Sequence, residues 1–346
     1  MKQNRGSLAL AVAAVFVAPI ASAAEDKVAL SGFADILYRV TDDTTALVNN
    51  KSPTEGKFSA AAELDLVGKM SDKLTVRVDA DLDLAVNDGT SAGGDSGRIE
   101  QAYFALAAMD KVTVLGGVFN NPIGWEGHDA PEMITTTHGQ IWNIMDGQTA
   151  LYANNVAGVA AAVNVGMATV TVGLLNDLQE SNEENSFATA INMTPITNVD
   201  LEVGYVTQAS RQDSSNVGTY GNATVGSAEN WYDINATYKV EKLLIAAEIL
   251  GADKVVDMAY ALYGRFEVVP GISVSGRFDS VGYQDPNASV KDTETITLAA
   301  AYRVDANLSV GLEWRTQDDA NDTTSGAGGG VISDGDLVQL EILAKY

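Results

Sequence analysis

Side chains able to do covalent chemistry are few in this 346-residue chain. There are two histidines, His128 and His138, and no cysteine. Thiolate metal sites and cysteine nucleophiles are therefore excluded. A serine or aspartate nucleophile needs a histidine beside it and a third group to orient that histidine. The sequence His128-Asp129 does not by itself bring two side chains together, and no serine lies between Ser96 and Ser181. The residues predict no catalytic site. His128, Asp129, Glu132 and His138 carry atoms that ligate metals, but the gap between the histidines is not a ligand spacing, and solvated loop histidines explain them. No resident metal or cofactor is expected. Loosely bound calcium on acidic loops is the most these residues suggest, since none has the ordered oxygen spacing of a calcium loop.

The remaining chemistry is charge. Asp79, Asp81 and Asp83 recur at every second position, with Arg77 before them. In Leu74–Val86 the intervening residues are Val78, Ala80, Leu82 and Leu84. Side chains of a strand alternate between faces, so this stretch reads as a strand with one apolar and one charged face. The same alternation places Glu63 and Asp65 opposite Ala62, Leu64 and Leu66, and places Asp35 and Arg39 opposite Ala34, Ile36, Tyr38 and Val40. Arg265, Arg277, Arg303 and Arg315 also fall on the polar parity of their strands. Such strands cover either a soluble core or a membrane barrel with lipid outside and water inside.

The elements that must position these charges are short alternating strands: 28–40, 58–70, 74–86, 99–109, 112–120, 149–165, 168–177, 187–193, 199–208, 231–240, 243–251, 256–269, 272–282, 293–304, 308–317 and 335–346. That is about sixteen, an even number, with short turns alternating with long polar loops. A soluble sandwich gives no reason for that asymmetry, and no propeller period is present. The fold expected is all-β, an antiparallel up-and-down transmembrane barrel. The strands at 99–109 and 149–165 are rich in alanine and alternate poorly. The longest interruption, 121–148, contains both histidines, Trp125 and Trp142. The last strand ends on the aromatic Tyr346, and Tyr38, Tyr238, Tyr302 and Trp314 are placed to form interfacial girdles.

The amino terminus agrees with export. Lys2 and Arg5 precede an apolar run, Leu8–Ile20, too short to span a bilayer, and Ala21-Ser22-Ala23 fits a cleavage site. Residues 1–23 are expected to be a signal peptide and 24–346 the barrel. Without Lys2 and Arg5, 19 basic residues face 46 acidic ones, a mature charge of −27. That repels nucleic acid and attracts cations wherever the acids line a confined space.

Two segments carry a family resemblance. Val28–Tyr38 resembles the first strand of general porins of the Gram-negative outer membrane. Gln101-Ala102-Tyr103-Phe104, followed by Gly117-Val118-Phe119-Asn120-Asn121-Pro122-Ile123-Gly124-Trp125-Glu126, resembles the OmpL-like porin group. The resemblance implies a passive channel for small hydrophilic solutes in outer-membrane lipid, commonly a homotrimer, with a long loop folded into the lumen. On that expectation Glu126, Asp129 and Glu132 of the 121–148 loop join Glu63, Asp65, Asp79, Asp81 and Asp83 at the constriction. Arg39, Arg77, Arg265, Arg277, Arg303 and Arg315 would then form a basic ladder opposite. Opposed charges make a transverse field, and carboxylate rings favour cations. Two other readings stay open: a selective channel with Trp125, Trp142 and Trp231 as a sugar slide, and a plugged structural barrel.

Overall fold

The computed structural model describes residues 28–43, 54–84, 96–149, 151–178, 184–208, 218–220, 223–225, 230–253, 256–284, 292–319 and 335–346. The expected signal peptide, 1–23, lies outside them.

Strands β1 (Val28–Asp43), β2 (Thr54–Lys69), β3 (Leu74–Leu84), β4 (Ser96–Met109) and β5 (Val112–Asn120) lead to a long connection. That connection holds one helix, α1 (Gln140–Gly147), and a 3-10 turn at Tyr152–Asn154. Strands β6 (Asn155–Asn164), β7 (Ala168–Asn176), β8 (Asn185–Ile196) and β9 (Val199–Thr207) follow. Next comes a separate two-stranded hairpin, β10 (Gly218–Tyr220) with β11 (Ala223–Val225). The series ends with β12 (Asn230–Val240), β13 (Leu243–Ala252), β14 (Val256–Val269), β15 (Ile272–Tyr283), β16 (Thr293–Arg303), β17 (Leu308–Asp319) and β18 (Gly335–Lys345). Apart from β10 and β11, the strands form one closed antiparallel barrel of sixteen. Among the described residues no helix is long and apolar enough to cross a membrane.

Alternation sets which face is which. On β3, Asp79 and Asp81 are buried while Leu82 is exposed. On β18, Val338, Leu340 and Ile342 are exposed, and Leu337, Gln339 and Leu343 are buried. An apolar outer face and a charged inner one invert the soluble pattern, as lipid outside requires. Closure joins β1 to β18, with Ile36 opposite Ile342. The terminal Tyr346 finishes the seam. Its backbone N–H donates to the Gly32 carbonyl at 3.1 Å, and its hydroxyl donates to the Glu63 carbonyl at 3.0 Å. Tight turns use left-handed residues, including Asn198 (φ 68°) and Gly271 (φ 86°), which match the strand twist at hairpin ends. Tyr238, Tyr302 and Trp314 face outward; Tyr38 packs on Phe58, ring centroids 4.6 Å apart.

Several boundaries differ from the sequence reading. A bulge in β4 skips Glu100, so Asp79 pairs with Gln101 and Ala80 with Ile99. The extra residue puts both Glu100 and Gln101 on the buried side, which is why 99–109 alternates poorly. β4 also begins earlier, and Arg98 belongs to the strand rather than to a loop. The expected 149–165 strand begins only at Asn155, because Ala153 (φ 64°) and Asn154 (φ 53°) turn the chain. The 209–229 region, expected to be loop, contains β10 and β11.

Candidate functional site

The β5–β6 connection re-enters the barrel, and carboxylates on the inner wall hold its backbone. Gly124 N–H donates to Glu202 on β9 (3.0 Å) and Trp125 N–H to Glu248 on β13 (2.8 Å). On the other side, Thr136 N–H donates to Glu313 on β17 at 2.6 Å, and the Thr137 hydroxyl donates to the same carboxylate at 2.6 Å. Each satisfies a donor that an irregular segment inside a barrel would leave orphaned. Helix α1 has no side-chain cap of its own. Instead Asp279 on β15 accepts from Gln140 N–H (3.1 Å) and Glu126 from Gly139 N–H (2.9 Å), placing negative charge at the helix N-terminus.

The tightest anchor is Arg277. Its buried guanidinium pairs with Asp279 (2.8 Å). It donates to the Thr135 hydroxyl (2.6 Å), the Thr137 carbonyl and the His138 carbonyl (2.9 Å). The sequence reading set Arg277 on an open basic ladder. The structure puts it beneath the loop, where its guanidinium donates to the Thr137 and His138 carbonyls; the Thr137 carbonyl also accepts from the Thr135 hydroxyl at 3.1 Å.

Helix α1 makes one side of the lumen dry. Ile141, Ile144 and Met145 pack with Leu115, Phe119, Val156, Leu175 and Trp231 in one apolar cluster. Wall residues facing it are small: Ala160, Ala188, Ala190, Ala246, Ala259 and Ala261 are almost fully buried. Gly204 leaves the space that Ile123 fills; a Cβ there would collide with the isoleucine side chain. In β6, part of the stretch whose alanines alternate poorly in sequence, Ala160 and Ala162 thus face inward. The sugar-slide indoles are also accounted for differently. Trp125, Trp142 and Trp231 are 8%, 6% and 1% exposed, so they pack the interior and offer no stacking face to solutes. Trp125 lies against Tyr263 (4.1 Å) and donates from Nε1 to the Thr237 hydroxyl (2.7 Å).

Both histidines are part-buried in a ring stack rather than open to solvent. His138 stacks on Trp142 at 3.6 Å, and His128 stacks on Trp142 at 5.4 Å and meets the Tyr152 edge at 5.2 Å. Arg98 lies 3.6 Å over the Tyr152 ring. Burial pushes the His128 imidazole down to about 3, helped by His138 and Arg98, so it is neutral at pH 7. Burial alone would raise Glu126. The bond from His138 Nδ1 (2.7 Å), the charges of His138 and Arg277, and the Gly139 N–H outweigh it and hold the carboxyl below its ordinary range.

The other expected site residues separate into two walls. Glu63 and Asp65 on β2, and Asp79 and Asp81 on β3, share one wall with Glu100 of the β4 bulge, which the parity rule missed. Asp129 reaches this wall from the loop: its carboxylate oxygen and those of Glu63 and Glu100 lie within 4.8 Å of one another. Burial, then the Glu132 charge, pushes Asp129 up to about 7. Glu132 itself is exposed and its side chain folds back beside Gly127. The side chain of Asp83 lies outside the described residues. Arg77 is not opposite this wall but within it, bonded to Asp79 (2.7 Å) and Asp65 (3.1 Å). On the strands that continue this wall past β2, Arg39 on β1 donates to Gln339 (3.2 Å) and Arg315 on β17 to Gln317 (2.8 Å). Arg265 and Arg303 line a cavity of about 400 Å³ near the short turns with Lys239, Lys242, Lys345 and Glu267. A second cavity, about 740 Å³, opens near the turns at Lys73, Lys111 and Met167.

A closed barrel, apolar outside and charged inside, with a loop held in the lumen between unlike walls, defines an outer-membrane channel. The chain matches the Gram-negative porin family over residues 9–331 and belongs to it. It is an outer-membrane porin. No curated protein sequence matches it. Among solved structures it is similar to the Salmonella typhi OmpF complex with daunomycin, at 11% identity and TM-score 0.68, covering 92% of this chain and 97% of that one. It is also similar to OmpT, an outer membrane protein of Vibrio cholerae, at 11% identity and TM-score 0.65 over 94% and 99%. A mutant of the Rh. blastica porin aligns at 14% identity and TM-score 0.60 over 92% and 100%.

Proposed function

We propose that the protein is a passive diffusion channel for small hydrophilic solutes, prefers cations, catalyses nothing and works as a homotrimer after loss of residues 1–23. The observation carrying the cation preference is the wall of Glu63, Asp79, Asp81 and Glu100, all under 8% exposed, facing the loop that carries Asp129. Arg77 offsets only part of that charge; Arg39, on the neighbouring strand β1, is bonded to Gln339, and Arg315 lies three strands from β2, on β17. Carboxylates confined in this way concentrate cations along a narrow path. The part-buried histidines support the non-catalytic reading: both stack with Trp142, and His138 Nδ1 is bonded to Glu126. A trimer form is recorded for the Vibrio cholerae OmpT, and the same assembly is proposed here.

Planar-bilayer reversal potentials under a KCl gradient test the preference. Wild type should conduct with the cation sign, and Asp79→Asn/Asp81→Asn should move the potential toward zero. Anion preference, or no change in the double variant, refutes the acidic-wall reading. Mass spectrometry of exported protein tests cleavage after Ala23, and light scattering in detergent tests the trimer.

A further inference from the structure

The acidic wall sets five carboxyl side chains, Glu63, Asp65, Asp79, Asp81 and Glu100, against two arginines, Arg77 and Arg98. Arg77 is committed to Asp65 and Asp79 through bonds of 3.1 and 2.7 Å. Beyond it lie Glu63 on β2, Glu100 at the β4 bulge and Asp129 on the loop. One oxygen from each falls within 4.8 Å of the others. Glu63 is 1% and Glu100 2% exposed. Glu63 Oε2, Glu100 Oε2 and Asp129 Oδ1 have no hydrogen-bond partner. The Asn155 amide reaches only the other Glu100 oxygen, at 3.2 Å. Burying carboxylate oxygens without partners is costly, and three side by side repel one another. A cation among them removes both penalties. Calcium is the ion of this chemistry: it takes hard oxygen ligands at about 2.4 Å and tolerates irregular geometry. Two ligands at that distance span at most about 4.8 Å, and the three oxygens here lie within 4.8 Å of one another. His128 Nε2 is 4.0 Å from Glu100 and adds a soft donor that calcium does not need.

We propose that Glu63, Glu100 and Asp129 form a calcium site that staples the folded-in loop to the β2–β4 wall. The bulge is what makes it: a regular β4 would turn Glu100 outward toward lipid. The site rests on the channel reading only in lying beside the ion path, and binding is measurable without current.

The test uses refolded mature protein, stripped with chelator, in a neutral detergent free of lipopolysaccharide. Calorimetric titration with calcium chloride should give one ion per chain with a Kd on the order of 10⁻⁴–10⁻³ M, the range of extracellular calcium modules. Glu100→Gln and Asp129→Asn should each weaken binding by more than the roughly tenfold that losing an outer-shell partner costs. Glu267→Gln, in the short-turn cavity, should bind as wild type. Calcium should also slow protease cleavage of the 121–154 segment in wild type and not in Asp129→Asn. Asp129 is on the loop, so this variant leaves the barrel wall intact if Glu100→Gln does not fold. Absence of saturable binding in wild type, or unchanged affinity in Asp129→Asn, overturns the proposal. If calcium does not bind while cation-preferring current persists, the staple alone fails. If calcium binds and no current flows, the site stands and the channel reading fails.

Discussion

Replacing Arg277 by methionine should release the lumenal loop while leaving the barrel closed. The side chains of Arg277 and Asp279 are both fully buried, and the guanidinium also serves the Thr135 hydroxyl and the carbonyls of Thr137 and His138. Methionine keeps much of the volume but removes every donor. Asp279 is left with the Gln140 N–H, the His138 carbonyl loses the guanidinium, and the Thr137 carbonyl keeps the Thr135 hydroxyl. Breaking one side of a buried pair costs about 3–5 kcal/mol. At about 1.4 kcal/mol per factor of ten, the loop should open between roughly a hundred and a few thousand times more often. Limited proteolysis of refolded protein in detergent reads this directly, as cleavage within 121–154. Tryptophan fluorescence reports the same event, since Trp125 leaves the dry cluster and Trp142 its stack on the histidines. The barrel should still resist unfolding in cold SDS. Arg277→Met/Asp279→Leu removes both charges and should recover part of the loss, with a coupling of about 0.5–3 kcal/mol. If cleavage stays within a factor of about ten of wild type, and the double variant is no better than the single one, Arg277 is not the anchor described here.

Glu126→Gln should lower the urea midpoint at neutral pH. The Glu126 carboxyl is held below its ordinary value of 4.5, so its contribution is fully present above pH 4.5 and lost as pH falls through the folded-state value; the difference between wild type and variant should therefore shrink only in acid. Tyr346→Phe removes the hydroxyl bond to the Glu63 carbonyl and should cost about 1 kcal/mol, seen as a lower unfolding midpoint, with barrel closure slowed. Ala188→Leu overfills the cluster behind α1. It should cost about 1–3 kcal/mol and reduce single-channel conductance by pushing the loop toward the open side.

Much of the barrel was legible because lipid and water impose opposite demands on alternate residues. Leu74–Leu84 shows this cleanly, and the closing strand to Tyr346 nearly as well. Legibility failed wherever a third environment intervened. Ala160, Ala188 and Ala190 face neither lipid nor water but a packed helix, so their strands look apolar on both sides. Glu100 was missed because one bulged residue shifts the parity of everything before it, and only pairing with β3 reveals the shift. Arg277 obeyed the parity rule and was still misplaced, because alternation says which way a side chain points and not what covers it. The two histidines looked like loop residues; their stacking on Trp142 depends on where the helix docks, which spacing along the chain does not encode.

The small residues behind α1 have an evolutionary corollary. The bore is bounded on one flank by a plug whose seat is upholstered with alanine and glycine, out of contact with anything that passes. Adding or trimming a methyl group in that upholstery would shift the plug and change the sieve's cut-off without touching a residue a permeant meets. Size exclusion and charge preference can thus be adjusted separately, one from the rear of the plug and the other from the facing carboxylates.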